Sequence, residues 1–330
     1  MEHLLDVFTS IDPNAHDVWR ACSHFMEHLY WHKPRQTVLG PKIEGLPDGH
    51  LFKAMCLLHL SRSFQSVGNF AEEKRLLTRA LSLWKKTGDD FQTAQTLRFL
   101  CHVNQELGFH GEGIQQAEEA LKMHKRLCDT IGQARCLTGL AQLLLGNGQL
   151  DAAENAALQS IDLLPKKGQE FRLCQSHRVL GEAYGRKGEK EKAIGHFETA
   201  LRIASPPSWQ YELSENHYKL AELFLAEDEF ADANTHVEQA KSHTTGRIHD
   251  LSRAMELQAR VWYRQCRLED ARCEALGALE IFEKLGAAQN VGTCRELLQE
   301  IERATESRAV SGESTSCGEL SGHGAPFHEC

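Results

Sequence analysis

The apolar positions of this chain recur at a fixed interval. Leucine stands at Leu60, Leu100, Leu140, Leu180 and Leu220, a spacing of 40 residues without a gap. The next position is small each time: Ser61, Cys101, Ala141, Gly181 and Ala221. A third column reads Ala80, Ala120, Ser160, Ala200 and Ala240, and turn residues fall at Gly68, Gly108, Gly148, Gly188 and Asp228. No stretch alternates apolar and polar residues as a half-buried strand would, and helix formers dominate. Three columns in register over five units predict one repeated pair of helices. A sixth unit, two residues shorter, continues with Ala259, Trp262, Ala271 and Ala278, and the loop near Gly246–Asp250 is where the shortening is expected.

The clearest unit is Cys174–Ala204, with Leu180-Gly181, Tyr184, Gly188, Ala193, Phe197 and Ala200. This spacing resembles a tetratricopeptide repeat (TPR), a helix–turn–helix unit that buries its apolar stripe by stacking on its neighbours. Gly181 and Ala193 are expected where the two helices touch, Tyr184 and Phe197 in the gap to the next pair, and Gly188 in a left-handed turn. Forty residues exceed the roughly 34 of a standard unit. The surplus fits either longer helices or a longer connection. The fold class expected is all-α: a right-handed α-solenoid of about six 40-residue hairpins with helical caps at both ends.

The ends depart from the pattern. Residues 1–47 read as a helix from Asp12-Pro13 to Tyr30-Trp31, followed by turn-rich sequence, and form an expected N-terminal cap and linker. Residues 48–286 hold the six units. Residues 287–304 read as a capping helix with Cys294, Leu297, Leu298 and Ile301 inward and Glu296, Gln299, Glu300 and Arg303 outward. Residues 305–330 are rich in Ser, Gly and Glu and are expected to be a disordered tail.

Charge and cysteines narrow the class of partner. The 330 residues carry 37 Lys and Arg against 46 Asp and Glu, a net charge of −9, which speaks against a general binder of nucleic acid or anionic membrane. Eleven cysteines show no C-x-x-C pair and read as free thiols of a reducing compartment. Neither a signal peptide nor a run of 18 apolar residues is seen, so a cytoplasmic protein is expected.

Candidate chemistry is sparse. His24, Glu27 and His28 match H-x-x-E-H, and the two histidines share a helix face as zinc ligands would, which leaves a zinc hydrolase as a remote alternative. The large mixed fold and further acidic ligand of such enzymes are not recognisable. No phosphate-cradling G-x-x-x-x-G-K-[ST] is present, and the glycines of Gly108–Gly113 sit at a repeat turn rather than after a strand. No enzyme and no cofactor are expected.

The resemblance to TPR arrays places a concave groove along the first helices of successive units. It implies groove positions at Arg98, His102, Arg135, Gln142, Arg178, Glu182, Arg186, Tyr218, Glu222, Arg253, Glu256 and Arg260, with Glu215 and Arg264 beside them. Guanidinium groups there suit carboxylates or phosphates of an extended protein segment. The Lys and Asn pairs of chaperone-tail clamps are absent, since the corresponding positions are Leu58/Arg62, Arg98/His102 and Thr138/Gln142. Phe25–His50, Ala134–Ile161 and Glu274–Glu302 are similar to fungal NOD-like proteins, in which an NTPase module of NACHT or NB-ARC type precedes a TPR array. No NTPase motif is present, so that resemblance implies a sensor or regulatory module acting with a separate NOD-like NTPase.

Overall fold

The computed structural model describes residues 51–311, with short breaks at 66–67, 166–167, 205–208 and 245. The expected N-terminal cap, its His24/Glu27/His28 motif and the segment after Ser311 lie outside the described residues. Thirteen helices and no strand fill the described part. In chain order they are α1 (Leu51–Gln65), α2 (Phe70–Thr87), α3 (Asp90–Glu106), α4 (His110–Arg126), α5 (Thr130–Gly146), α6 (Leu150–Leu163) and α7 (Glu170–Arg186). Then follow α8 (Lys190–Ile203), α9 (Gln210–Ala226), α10 (Phe230–Ser242), α11 (Ile248–Arg264), α12 (Leu268–Leu285) and α13 (Ala288–Ser311). Each packs on the next, and the odd-numbered helices also touch one another directly, giving the expected all-α solenoid.

The 40-residue period is a doubled 20-residue one. Left-handed residues stand at Gly68, Gly88, Gly108, Cys128, Gly148, Gly168, Gly188 and Asp228, then at Gly246, Cys266 and Gly286 after the two-residue loss. At Gly188 the amide of Glu189 reaches back to the Tyr184 carbonyl (2.9 Å) and that of Gly188 to Gly185 (3.1 Å), a Schellman closure of α7. The next residue starts the following helix: Asn69, Asp89 and Asp129 each accept a backbone N–H with the side chain, at 3.2, 2.9 and 2.8 Å. Part of the surplus over a standard unit is helix, and part, after the shorter α6, α8 and α10 of 14, 14 and 13 residues, is connection. α3, α4, α5, α7, α9 and α11 are all 17 residues long.

The small columns let the helices close. A Cβ on Gly181 would meet the Phe197 ring at 2.7 Å, so the aromatic sits inside the unit against the glycine, while Ala193 faces Gly185. Ala80, Ala120, Ala200 and Ala240 are fully buried, and the exception in that column has its own partners. Ser160 joins Thr138 (2.9 Å) and Ser176 (3.0 Å) and donates to the Ala134 carbonyl, so a buried hydroxyl cluster joins the third unit to the fourth. At the far end Cys294, Leu297 and Ile301 are buried and Glu296, Gln299 and Glu300 exposed, and α13 runs on to Ser311, past the expected stop.

Two histidine pairs link paired helices. His177 and His196 face each other Nδ1 to Nδ1 at 3.0 Å with Tyr184 stacked on His196. Forty residues on, His217 and His236 repeat this at 3.0 Å, with Phe224 stacked on His236 and His243 beside His217. One ring of each pair must donate and the other accept, so both cannot be protonated. Burial and the facing imidazole hold His177 and His217 at about 4, Arg202 adding to the effect on the first and His243 on the second. Burial also lowers His196 and His236, against the opposing pull of Glu154 and Asp232.

The solenoid turns back on itself. The Phe70 ring lies edge-on to His249 at 5.9 Å, and a Cβ on Gly68 would meet the same imidazole at 2.7 Å. The turn of the first unit thus abuts the start of α11 in the sixth.

Two measurements check this account. Gly181→Leu must push aside Phe197 and is expected to lower denaturant stability by about 1–3 kcal/mol. Gly195→Ala, on a helical face with open space around it, is expected to raise it by about 0.5–1 kcal/mol. Equal effects of the two would contradict the packing. The pH dependence follows from the sign of the histidine shifts. Folded values below the unfolded 6.5 mean that the unfolded chain binds more protons, so stability is full above that pH and falls toward pH 4. Discounted for half-exposed rings, the loss is about 1–3 kcal/mol. Denaturant melts of His177→Gln/His217→Gln are expected to show a flatter pH slope; an unchanged slope would remove the histidines from the account.

Candidate functional site

Each odd-numbered helix turns one stripe of polar residues inward. On α3 the stripe is Gln95, Arg98, His102 and Glu106; on α5 it is Arg135, Gly139 and Gln142, each half-buried among mostly buried neighbours. On α7 the stripe holds Gln175, Arg178, Glu182 and Arg186; on α9, Tyr211, Glu215, Tyr218, Lys219 and Glu222; on α11, Arg253, Glu256 and Arg260. The lumen they line is narrow. Glu215 of α9 acts electrostatically on His102 of α3, and Glu106 of α3 on Arg253 of α11. Lys219 keeps 18% of its side chain exposed and His102 35%, yet protein surrounds both closely enough to desolvate them.

The two halves of this wall differ in charge balance. In the later half nearly every cation has an acid. Arg178 lies 3.4 Å from Glu182, 3.8 Å from Glu212 and 4.0 Å from Glu215. Burial alone would lower its pKa; Glu212, Tyr211, Glu182 and Glu215 outweigh that and raise it. Arg253 donates to Glu215 at 2.6 Å and lies 4.5 Å over the Tyr218 ring. Lys219 bonds Glu222 at 2.8 Å and reaches Glu182 at 3.4 Å. Arg247 pairs with Asp250, and Arg260 lies 3.9 Å from Glu256, whose carboxyl is raised by burial against the pull of Arg260.

The earlier half is different. Among the described residues no carboxylate lies within ion-pair distance of Arg98, Arg135 or Arg172. Arg98 lies 4.2 Å over the Phe99 ring and donates weakly to Gln95 at 3.3 Å, while its Nη2 is buried with no hydrogen-bond partner. Burial, then repulsion from Arg135, pulls Arg98 down to about 9, still charged at neutral pH. Burial, then Arg172, brings Arg135 to about 10. Asp129 is the nearest acid to feel them, and it is occupied in capping α5 and pairing with His124 at 3.0 Å.

The expected groove residues thus fall into separate roles. Arg98, His102, Arg135 and Gln142 line the earlier wall. Arg178, Glu182, Tyr218, Glu222, Arg253 and Glu256 are tied into a buried charge network, and Arg260 stands at its exposed edge. Arg186 donates to the Leu145 carbonyl at 2.6 Å and so closes the end of α5. Arg264 pairs with Asp228. Sequence reasoning missed Arg172, Tyr211, Glu212 and Lys219. Arg172 and Tyr211 sit a turn or more earlier on the stripes than the positions taken from the repeat pattern, and Glu212 and Lys219 adjoin stripe residues. A depression lined by Lys85, Asp90, Glu119 and Lys122 opens between α2, α3 and α4, away from this wall. Among the described residues no group of three or more His, Cys, Asp or Glu could hold a metal ion, and no helix is long and apolar enough to cross a membrane.

Comparison places the fold. A tetratricopeptide repeat family model matches residues 92–166. The structure is similar to a Rap protein solved in complex with competence and sporulation factor, with TM-score 0.62 and 15% identity over 84% of this chain and 82% of that one. It is similar to a chain of the APC/C hetero-tetramer Cut9–Hcn1, with TM-score 0.55 and 16% identity over 91% of this chain and 52% of that one. It is also similar to aspartyl phosphate phosphatase F from Bacillus subtilis, with TM-score 0.50 and 11% identity over 82% and 75%. No curated protein matches the chain in sequence. The family match identifies tetratricopeptide repeats at residues 92–166, and these neighbours share the solenoid fold.

The charge network makes one prediction. Arg178→Ala leaves the fully buried Glu212 without its cation and is expected to cost about 3–5 kcal/mol in denaturant melts. Arg178→Met with Glu212→Leu removes both charges and is expected to recover most of it; no recovery would mean the pair is not coupled.

Proposed function

We propose that the chain is a non-enzymatic scaffold that holds a peptide or protein segment against the inner wall of its solenoid. The observation that carries this is the unmatched Arg98–Arg135–Arg172 set. Packing does not require three guanidinium groups to gather in a narrow lumen, and their mutual repulsion opposes folding. A ligand supplying acceptors there would relieve that cost. The Rap and Cut9–Hcn1 neighbours were each solved with a partner, so the same architecture is compatible with this use, although likeness at this identity concerns fold alone. Tyr218 does not serve as an open apolar pocket in this reading, because Arg253 and Lys219 cover its ring.

The later half of the wall holds the coil's own shape, and the earlier half meets the partner. Affinity capture with the full chain tests this. Partners held by wild type are expected to be lost with Arg98→Glu/Arg135→Glu and kept with Arg272→Glu, an exposed change outside the inner stripes. Unchanged capture by the first variant would move binding off the inner wall. The resemblance to NOD-like arrays gives the second reading, a regulatory module acting on a separate NTPase. Recovery of such an NTPase among the captured proteins, with its hydrolysis rate altered by the chain, would favour it.

A further inference from the structure

Four arginines of the odd-numbered helices lie on a line. Arg62, Arg98, Arg135 and Arg172 are separated by 36, 37 and 37 residues in a chain whose unit is 40. Each therefore sits about one helical turn nearer the start of its helix than the one before, stepping diagonally across α1, α3, α5 and α7. One turn is about 5.4 Å along a helix and neighbouring axes lie about 8–10 Å apart, so successive steps span about 10 Å. Arg62 joins the row through Phe99, lying 6.0 Å over the ring that Arg98 also covers.

Resting on the inner-wall reading above, we infer that this diagonal row is a docking track for an extended acidic peptide carrying a carboxylate at every third residue. The spacing selects the ligand's conformation. In a polyproline II segment every third side chain returns to the same face after about 9.3 Å, which matches the step. A β-strand returns to one face after about 6.8 Å, too short a stride for successive arginines. An α-helix would match the step only with acids seven residues apart, about two turns. Charge complementarity selects the sign. The later wall is neutralised by its own ion pairs, while Arg98, Arg135 and Arg172 have no acid within ion-pair distance among the described residues. Guanidinium groups bind carboxylates through paired N–H donors, and Arg98 has a buried Nη2 with no partner.

Fluorescence anisotropy with the full chain tests the track. Three fluorescein-labelled peptides of equal length are compared: one with Glu at every third residue in a proline-rich frame, one of identical composition with the Glu residues adjacent, and one with Lys replacing Glu. The first is expected to bind at least tenfold more tightly than the second, and the third not at all. Arg98→Gln and Arg135→Gln are each expected to weaken the first peptide five- to tenfold, with Arg272→Gln without effect. Equal binding of the two acidic peptides, or equal displacement of both by inorganic phosphate, would reduce the row to a general anion site and overturn the spacing. If Gln142→Ala or Glu222→Gln weakens binding and neither arginine change does, the inner wall remains the site and the track is wrong. If no inner-wall change matters, both readings fail.

Discussion

A left-handed residue every twenty positions is the constraint on which the structure depends. Among the described residues the next helix begins two positions after each of these residues, so helix starts recur at a fixed interval while helix lengths run from 13 to 24 residues. Glycine holds most of these sites because its missing Cβ removes the cost of positive φ. Cys128, Asp228 and Cys266 hold three others at φ 53, 59 and 61°, which shows that the array imposes this conformation even where the residue does not favour it. Helices that start in register stack, and the small columns at Ala141, Gly181 and Ala200 let them approach closely.

From that regularity follows the coil, and from the coil the lumen. An open, gently curved array would leave its inner stripe in bulk water, where arginines and glutamates are ordinary solvated groups. Here the first unit reaches the sixth through Phe70 and His249, and the stripe becomes an enclosed wall. Enclosure changes what the charges do. In the later units they must be paired, and Arg178, Lys219 and Arg253 each have acids within reach. In the earlier units Arg98, Arg135 and Arg172 have no acid within ion-pair distance among the described residues, and the proposed docking site rests on that imbalance.

Much of the fold was legible in the sequence, because a repeat writes the same packing requirement many times. The leucine and small-residue columns and the turns at Gly68 to Asp228 gave the units, and the apolar positions of α13 gave the end. The twenty-residue beat was harder to see, since cysteine stands where glycine would have marked it at 128 and 266. The site was legible only by position. Repeat offsets find which side chains face inward but not which face each other across the lumen. So Arg178 and Arg253 read like Arg98, though two are neutralised and one is not, and Lys219 and Glu212 were passed over. Curvature was illegible, because the contact of Phe70 with His249 joins units far apart in the chain and no local pattern encodes it.

The closure of the coil is the claim most open to direct measurement. With the exposed Cys128, Cys266 and Cys273 changed to Ser, a Gly68→Cys/His249→Cys variant places two thiols across the contact between first and sixth units. Cysteine is tolerated at positive φ in this chain, as Cys128 and Cys266 show. Mild oxidation of dilute protein is expected to form the intramolecular disulfide in most molecules, seen as faster migration on non-reducing gels that reverts on reduction. Thiols that stay reduced while the fold remains helical would show an open array without an enclosed wall, and would contradict the account.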